Sequence, residues 1–162
     1  MVGLHAFVTS RLDFCNSLYH GLPDNALKKL QSIQNSAARL VTRTGLHDHI
    51  TLVLRDLHWL TIVQRCKFKI LCITFQTIFN PSAPGYLKDL ITVRTPKRSM
   101  RSSEAIRLNV PSRKTNKTYG DRALIFSAPN TWNELPASIR SLGNYEAFKS
   151  SIKTLLFKEY YE

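Results

Sequence analysis

Apolar positions recur at helical spacing through the first ninety residues. Leu4, Phe7, Val8, Leu12, Cys15, Leu18 and Tyr19 form one stripe and predict an amphipathic helix over residues 4–19. Gly21-Leu22-Pro23 closes it. Asp24, directly after Pro23, is a good N-cap for a second helix. Its stripe is Leu27, Leu30, Ile33, Ala37, Leu40 and Val41, with Gly45 as the stop. Two such helices on a short turn read as a helical hairpin.

Asp48 is placed to cap a short helix holding Ile50, Val53, Leu54 and Leu57. His58-Trp59-Leu60 follows as a bulky plug. Thr61-Ile62-Val63-Gln64 fits a capping box, with the hydroxyl first and Gln three residues on. The helix it opens, over 62–79, is apolar nearly all round, the pattern of a central buried helix. Asn80-Pro81 ends it, and Pro84–Ile91 predicts one more short helix. The period then changes. Ile106, Leu108 and Val110 alternate with Arg107 and Asn109, a strand signature ended by Pro111. Ala123–Ala128 reads as a second strand or a short helix, so a small β-hairpin across 105–128 is expected. Pro129–Pro136 reads as an aromatic corner, and a last helix over 145–160 carries Phe148, Ile152, Leu155, Leu156 and Tyr160 on one face. The fold class is mainly α. The expected division is a helical region over 1–91, a basic connector over 92–122, and a corner with its C-terminal helix over 123–162, together one compact unit.

Composition sharpens this picture through charge. The 162 residues carry 23 Lys and Arg against 11 Asp and Glu, a formal charge of +12. Residues 91–122 alone hold nine basic and two acidic side chains, so more than half of the excess sits in the connector. A polyanion is the first partner this suggests, RNA or DNA before an anionic membrane surface. No stretch has the ~18 consecutive apolar residues of a membrane span, and no secretory signal is evident at the start. Cys15, Cys66 and Cys72 have no CxxC spacing and read as buried small hydrophobes in a reducing compartment. An intracellular protein, cytoplasmic or nuclear, is expected.

Catalytic patterns are missing. Asp13, Asp24, Asp48, Asp56, Asp89 and Asp121 are scattered, whereas a two-metal polymerase or nuclease site needs carboxylates close together. Tyr119-Gly120-Asp121-Arg122 has the outline of a polymerase Tyr-x-Asp-Asp turn, with Arg in the place of the second carboxylate. His47-Asp48-His49 with His58 matches no standard metal spacing and reads as surface or capping histidines. Neither a nucleophile elbow nor a phosphate-cradling glycine loop occurs. No enzyme activity and no cofactor are expected. The nucleic-acid reading has better material. Arg98, Arg101, Arg107, Arg113, Lys114, Lys117 and Arg122 supply charge among Ser, Thr and Asn, and Tyr119 is suited to stack on an unpaired base. Lys28, Lys29, Arg39 and Arg43 either extend this track or form an ordinary polar helix face. Trp59 and Trp132 read as core anchors.

Several short words, in order, resemble the segment after the catalytic palm in LINE-class (non-LTR) retrotransposon reverse transcriptases. They include Ser10-Arg11-Leu12-Asp13-Phe14-Cys15-Asn16-Ser17-Leu18, Gly21-Leu22-Pro23, Leu30–Leu40, Leu57-His58-Trp59-Leu60, Ala83-Pro84-Gly85-Tyr86-Leu87, Thr118–Ala123 and Ala128–Pro136. The resemblance covers nearly the whole chain. It implies thumb-like first helices that hold a template–primer backbone, followed by a nucleic-acid-contacting C-terminal module. The family's Phe/Tyr-Ala-Asp-Asp palm motif is absent, so no catalytic residue carries over. The implied origin is a truncated element copy. The rival expectation is an orphan helical fragment whose exposed helix faces drive self-association or protein docking, or one with no function at all.

Overall fold

A computed structural model describes residues 2–95, 105–112 and 123–162. These residues are mainly helical, and the helices are α1 (Val2–Asp13), α2 (Asp24–Thr42), α3 (Ile50–Asp56), α4 (Ile62–Phe79), α5 (Gly85–Leu90), α6 (Leu124–Glu134), α7 (Ala137–Arg140) and α8 (Tyr145–Tyr161). Packing divides the chain into two compact units, Met1–Lys67 with Leu155–Glu162, and Phe68–Thr154. Both boundaries fall inside helices, α4 and α8.

In the first unit the expected hairpin forms, with corrections. The first helix stops at Asp13, not Tyr19. Cys15 takes left-handed backbone (φ 50°, ψ 27°), and Asn16–Tyr19 form a 3-10 turn. Phe14 and Leu18 are therefore exposed, as is Phe7 on α1, and Cys15 is exposed rather than buried. Leu12 packs with Ile62 and Cys66, against Val8, Tyr19, Leu27 and Leu30. Gly21 (φ 72°) turns the chain into α2, at a backbone angle only glycine takes without strain. The buried face of α2 is rotated from the apolar stripe: Gln34, Ala37 and Ala38 are buried while Ile33 and Leu40 are exposed. Arg43, not Gly45, ends the helix in left-handed conformation. Ala37, Ala38, Leu54 and Trp59 form a second cluster, closed by Val8, Val41, Ile50, Val53, Leu57 and Tyr161. The Tyr161 hydroxyl donates to the Trp59 carbonyl at 2.7 Å.

Asp48 caps a turn rather than α3, since its Oδ2 accepts the Gly45 N–H at 2.8 Å. The capping box is not made. Thr61 Oγ1 and Gln64 Oε1 are buried without partners. The Ile62 N–H at the start of α4 is taken instead by Gln31 Oε1, reaching from α2 at 2.9 Å. Gln34 Nε2 donates to the Leu60 carbonyl at 2.8 Å. Arg65 Nη1 meets both carboxylate oxygens of Asp13 at 2.8 Å.

In the second unit the expected β-hairpin over 105–128 does not form. The strand-like stretch makes one antiparallel bridge, Val93 with Leu108. Residues 124–128 are helical, and the segment read as an aromatic corner continues α6 to Glu134. The alternation at 106–110 still has a physical basis. Asn133 Oδ1 accepts the Leu108 N–H at 3.0 Å and its Nδ2 donates to the Leu108 carbonyl at 2.9 Å. One carboxamide thus supplies both bonds a neighbouring strand would give. The core anchor Trp132 is fully buried and its ring lies against Phe148, which meets Phe75 at 4.5 Å between centroids. On α8, which starts with Asn144 Oδ1 accepting the Ala147 N–H, Phe148 and Ile152 are buried here and Leu156 in the first unit, while Tyr160 is exposed.

Candidate nucleic-acid interface

α2 places its cations by simple periodicity. At 100° per residue, Asn25, Lys28, Lys29, Ser32, Ile33, Ser36, Arg39, Leu40 and Arg43 fall within one broad face. That face points outward because the opposite one is committed to Gln34, Ala37 and Ala38. Lys28, Lys29 and Arg43 are exposed, and no carboxylate among the described residues forms an ion pair with them. From Lys28 to Arg43 the rise is about 22 Å. The one acid on the helix is Asp24, in its first turn, where it complements the helix dipole.

Arg39 behaves differently. Its Nε donates to the Gly45 carbonyl at 3.1 Å, and its Nη2 to those of Leu46 and Asp48 at 3.2 and 3.0 Å. It braces the loop after α2, so its fork is already engaged. Arg65 is likewise held by Asp13 and by the Leu60 carbonyl.

Of the connector residues singled out in the sequence, Arg107 is described and exposed. Arg98, Arg101, Arg113, Lys114, Lys117, Tyr119 and Arg122 lie outside the described residues.

Two cations of the second unit were not among the site residues the sequence singled out, although Arg94 counts in the basic segment 91–122. Arg94 stands directly opposite Arg107, because the Val93–Leu108 bridge is flanked by the Arg94 N–H donating to the Arg107 carbonyl at 2.8 Å. Both are exposed. Arg140 is only 4% exposed. Its Nε donates to the Leu135 carbonyl and its Nη1 to that of Ile106, each at 2.9 Å. Burial first, and Arg107 second, hold its pKa below the usual arginine range. The bridge partner of Arg94 was hidden because pairing is non-local, and nothing around Arg140 in sequence marks a buried cation.

Among the described residues no group of three His, Cys, Asp or Glu side chains is placed to hold a metal ion. No described helix is long and apolar enough to cross a membrane. Comparison of the chain with protein-family models, curated proteins and solved structures returns no match.

Proposed function

We propose that this chain is a non-catalytic module that binds the sugar–phosphate backbone of RNA or DNA, weakly and without sequence preference. The observation that carries the reading is the outward face of α2, where Lys28, Lys29 and Arg43 stand exposed and in no ion pair with a carboxylate among the described residues. Cations of this kind act as point charges on phosphates and release counterions on binding. Ser32 and Ser36 lie between them on the same face. The density of basic residues in 91–122, and the resemblance to the post-palm part of LINE-class reverse transcriptases, support the same activity. On this reading the chain works inside the cell, where such polymers are found.

Fluorescence anisotropy with a 20-mer oligothymidylate, an oligouridylate and a DNA duplex, across a salt series, tests it. Each neutralised phosphate contributes a slope of about −0.7 on single strands and −0.9 on a duplex. Replacing Lys28, Lys29 and Arg43 together by Ala flattens the slope by about 2 to 3 units. An R113A/K114A/K117A variant measures the connector separately. Binding absent in dilute buffer for all three polymers refutes the proposal, and primer extension that an Asp121 change abolishes would refute its non-catalytic part.

A second reading is favoured by a different surface. Phe7, Phe14 and Leu18 are 65%, 72% and 73% exposed, which suits docking on another protein or self-association. Size-exclusion chromatography separates the two, because an assembly that persists at high salt is apolar in origin.

A further inference from the structure

The cations of α2 stand in a definite order around its outward crest. The buried side, Gln34, Ala37 and Ala38, fixes the direction of that crest. At 100° per residue, Asn25, Ser32, Ser36 and Arg43 fall within about 30° of it. Lys28 and Lys29 fall about 50° away on opposite flanks. All six are exposed. Asp24, the one acid of the helix, lies lower, about 90° from the crest. Arg39, on the Lys28 side, is already held by the carbonyls of Gly45, Leu46 and Asp48. Ile33 and Leu40, 53% and 67% exposed, lie low on the Lys29 side.

We infer that α2 seats in the major groove of B-form duplex DNA, with its crest toward the base edges and Lys28 and Lys29 on the phosphates of opposite strands. Groove seating rests on the α2 reading above and narrows it to one class of polymer. A single strand presents one line of phosphates, which a one-sided row of cations would serve. A groove has two phosphate walls and calls for a cation on each flank. Ser32 and Ser36 are short, so the helix backbone comes close to the groove floor. Their hydroxyls both donate and accept, and so meet any base edge without selecting one. Size separates DNA from RNA. A helix with its side chains is about 10–12 Å across. The B-form major groove is about 12 Å wide, whereas that of A-form RNA is too narrow for side chains to read. Arg43, about 22 Å along the axis from Lys28, meets the backbone where the groove curves away from a straight helix. Ile33 and Leu40 then face deoxyribose carbons along one wall.

The test uses the full chain, a short mixed-sequence DNA duplex at saturating protein in dilute buffer, and dimethyl sulfate as the probe. The reagent methylates guanine N7, which lies in the major groove, and adenine N3, which lies in the minor groove. The expected result is N7 methylation slowed at least threefold with N3 unchanged. By anisotropy, an RNA duplex of the same sequence and length binds at least fivefold more weakly. K28A/K29A/R43A, at matched occupancy of the duplex, leaves N7 open. Four outcomes overturn groove seating while backbone binding stands: N7 open in the bound wild-type complex, N3 protected in its place, equal affinity for the RNA duplex, or N7 protection that survives K28A/K29A/R43A. Absence of binding to every polymer refutes the α2 reading, and groove seating with it.

Discussion

The amide pair on α2 allows a sharp prediction, in which the more buried residue is the less important one. Gln34 is 1% exposed and Gln31 is half-buried, so burial alone would make Gln34 the costlier to lose. Hydrogen bonding says the reverse. Gln31→Met removes the acceptor of the Ile62 N–H and the donor to Gln34 Oε1. Both groups belong to buried residues and neither has another partner. At ~1–3 kcal/mol per orphaned group, the cost is about 2–6 kcal/mol. Gln34→Met orphans nothing. The Leu60 carbonyl keeps Arg65 Nε at 3.0 Å, and Gln31 Nε2 keeps Asn35 Oδ1 at 2.8 Å. With shape conserved, its cost is about 0–1 kcal/mol. In the double variant the Ile62 N–H is the one group of a buried residue left stranded, since half-buried Asn35, which loses Gln31 in both variants, is open to water; the cost falls to about 1–3 kcal/mol, below that of Gln31→Met alone. Urea unfolding followed by far-UV circular dichroism supplies all three values. If Gln34→Met costs as much as Gln31→Met, the claim that Gln31 caps α4 fails.

Two further outcomes follow from titratable and thiol groups. Burial pushes the Tyr161 phenol up to about 12, above the ~10 of an unfolded tyrosine. The stability this gives is complete below pH ~10 and disappears as pH rises toward about 12; Tyr161→Phe removes its share of that alkaline slope, checked by urea melts at stepped pH. Cys66 is raised to about 11, by burial first and Asp13 second, and burial likewise raises Cys72. A thiol reagent at pH 8 therefore labels exposed Cys15 at once and the other two only on unfolding; prompt labelling of two or three thiols contradicts the burial.

Helix positions were largely legible in the sequence, because 3.6-residue periodicity and Gly or Pro punctuation are local signals. α2, α4 and α8 start within a residue of their expected places. Faces were less legible. The stripe on α2 was read on the rule that apolar means inside, which put Ile33 and Leu40 in the core. Gln31 and Gln34 occupy that side instead, because each has a backbone group from Leu60 or Ile62 to satisfy. The β-hairpin failed for a related reason. Alternation at 106–110 reports a half-buried extended segment, but it does not say what supplies the other half of the ladder. Here the Asn133 side chain on α6 supplies one edge, and the backbone of Thr92 and Arg94 the other. The site was legible as charge and not as geometry. Of the α2 cations the sequence singled out four, and the structure leaves Lys28, Lys29 and Arg43 free while Arg39 is consumed.

These exceptions share a cause that bears on function. The connections around α3, and those between α5 and α6, leave backbone carbonyls and N–H groups outside any helix or sheet. Long polar side chains from neighbouring helices fill that need: Gln31 at the start of α4, Arg39 over Gly45–Asp48, Asn133 at Leu108, Arg140 at Leu135 and Ile106. Three arginines are spent in this way, Arg39 and Arg140 on carbonyls and Arg65 on Asp13 and Leu60. A formal charge of +12 therefore overstates what a polyanion meets as freely mobile charge. In the first unit Lys28, Lys29 and Arg43 stand exposed along α2. In the second, Arg140 is held rigid by the carbonyls of Leu135 and Ile106, while Arg94 and Arg107 are exposed. On the proposed function, what a polyanion meets in the first unit is the exposed row of cations on α2. On that proposal the steepness of the salt dependence follows how many of Lys28, Lys29 and Arg43 engage phosphates, since counterion release scales with the number neutralised.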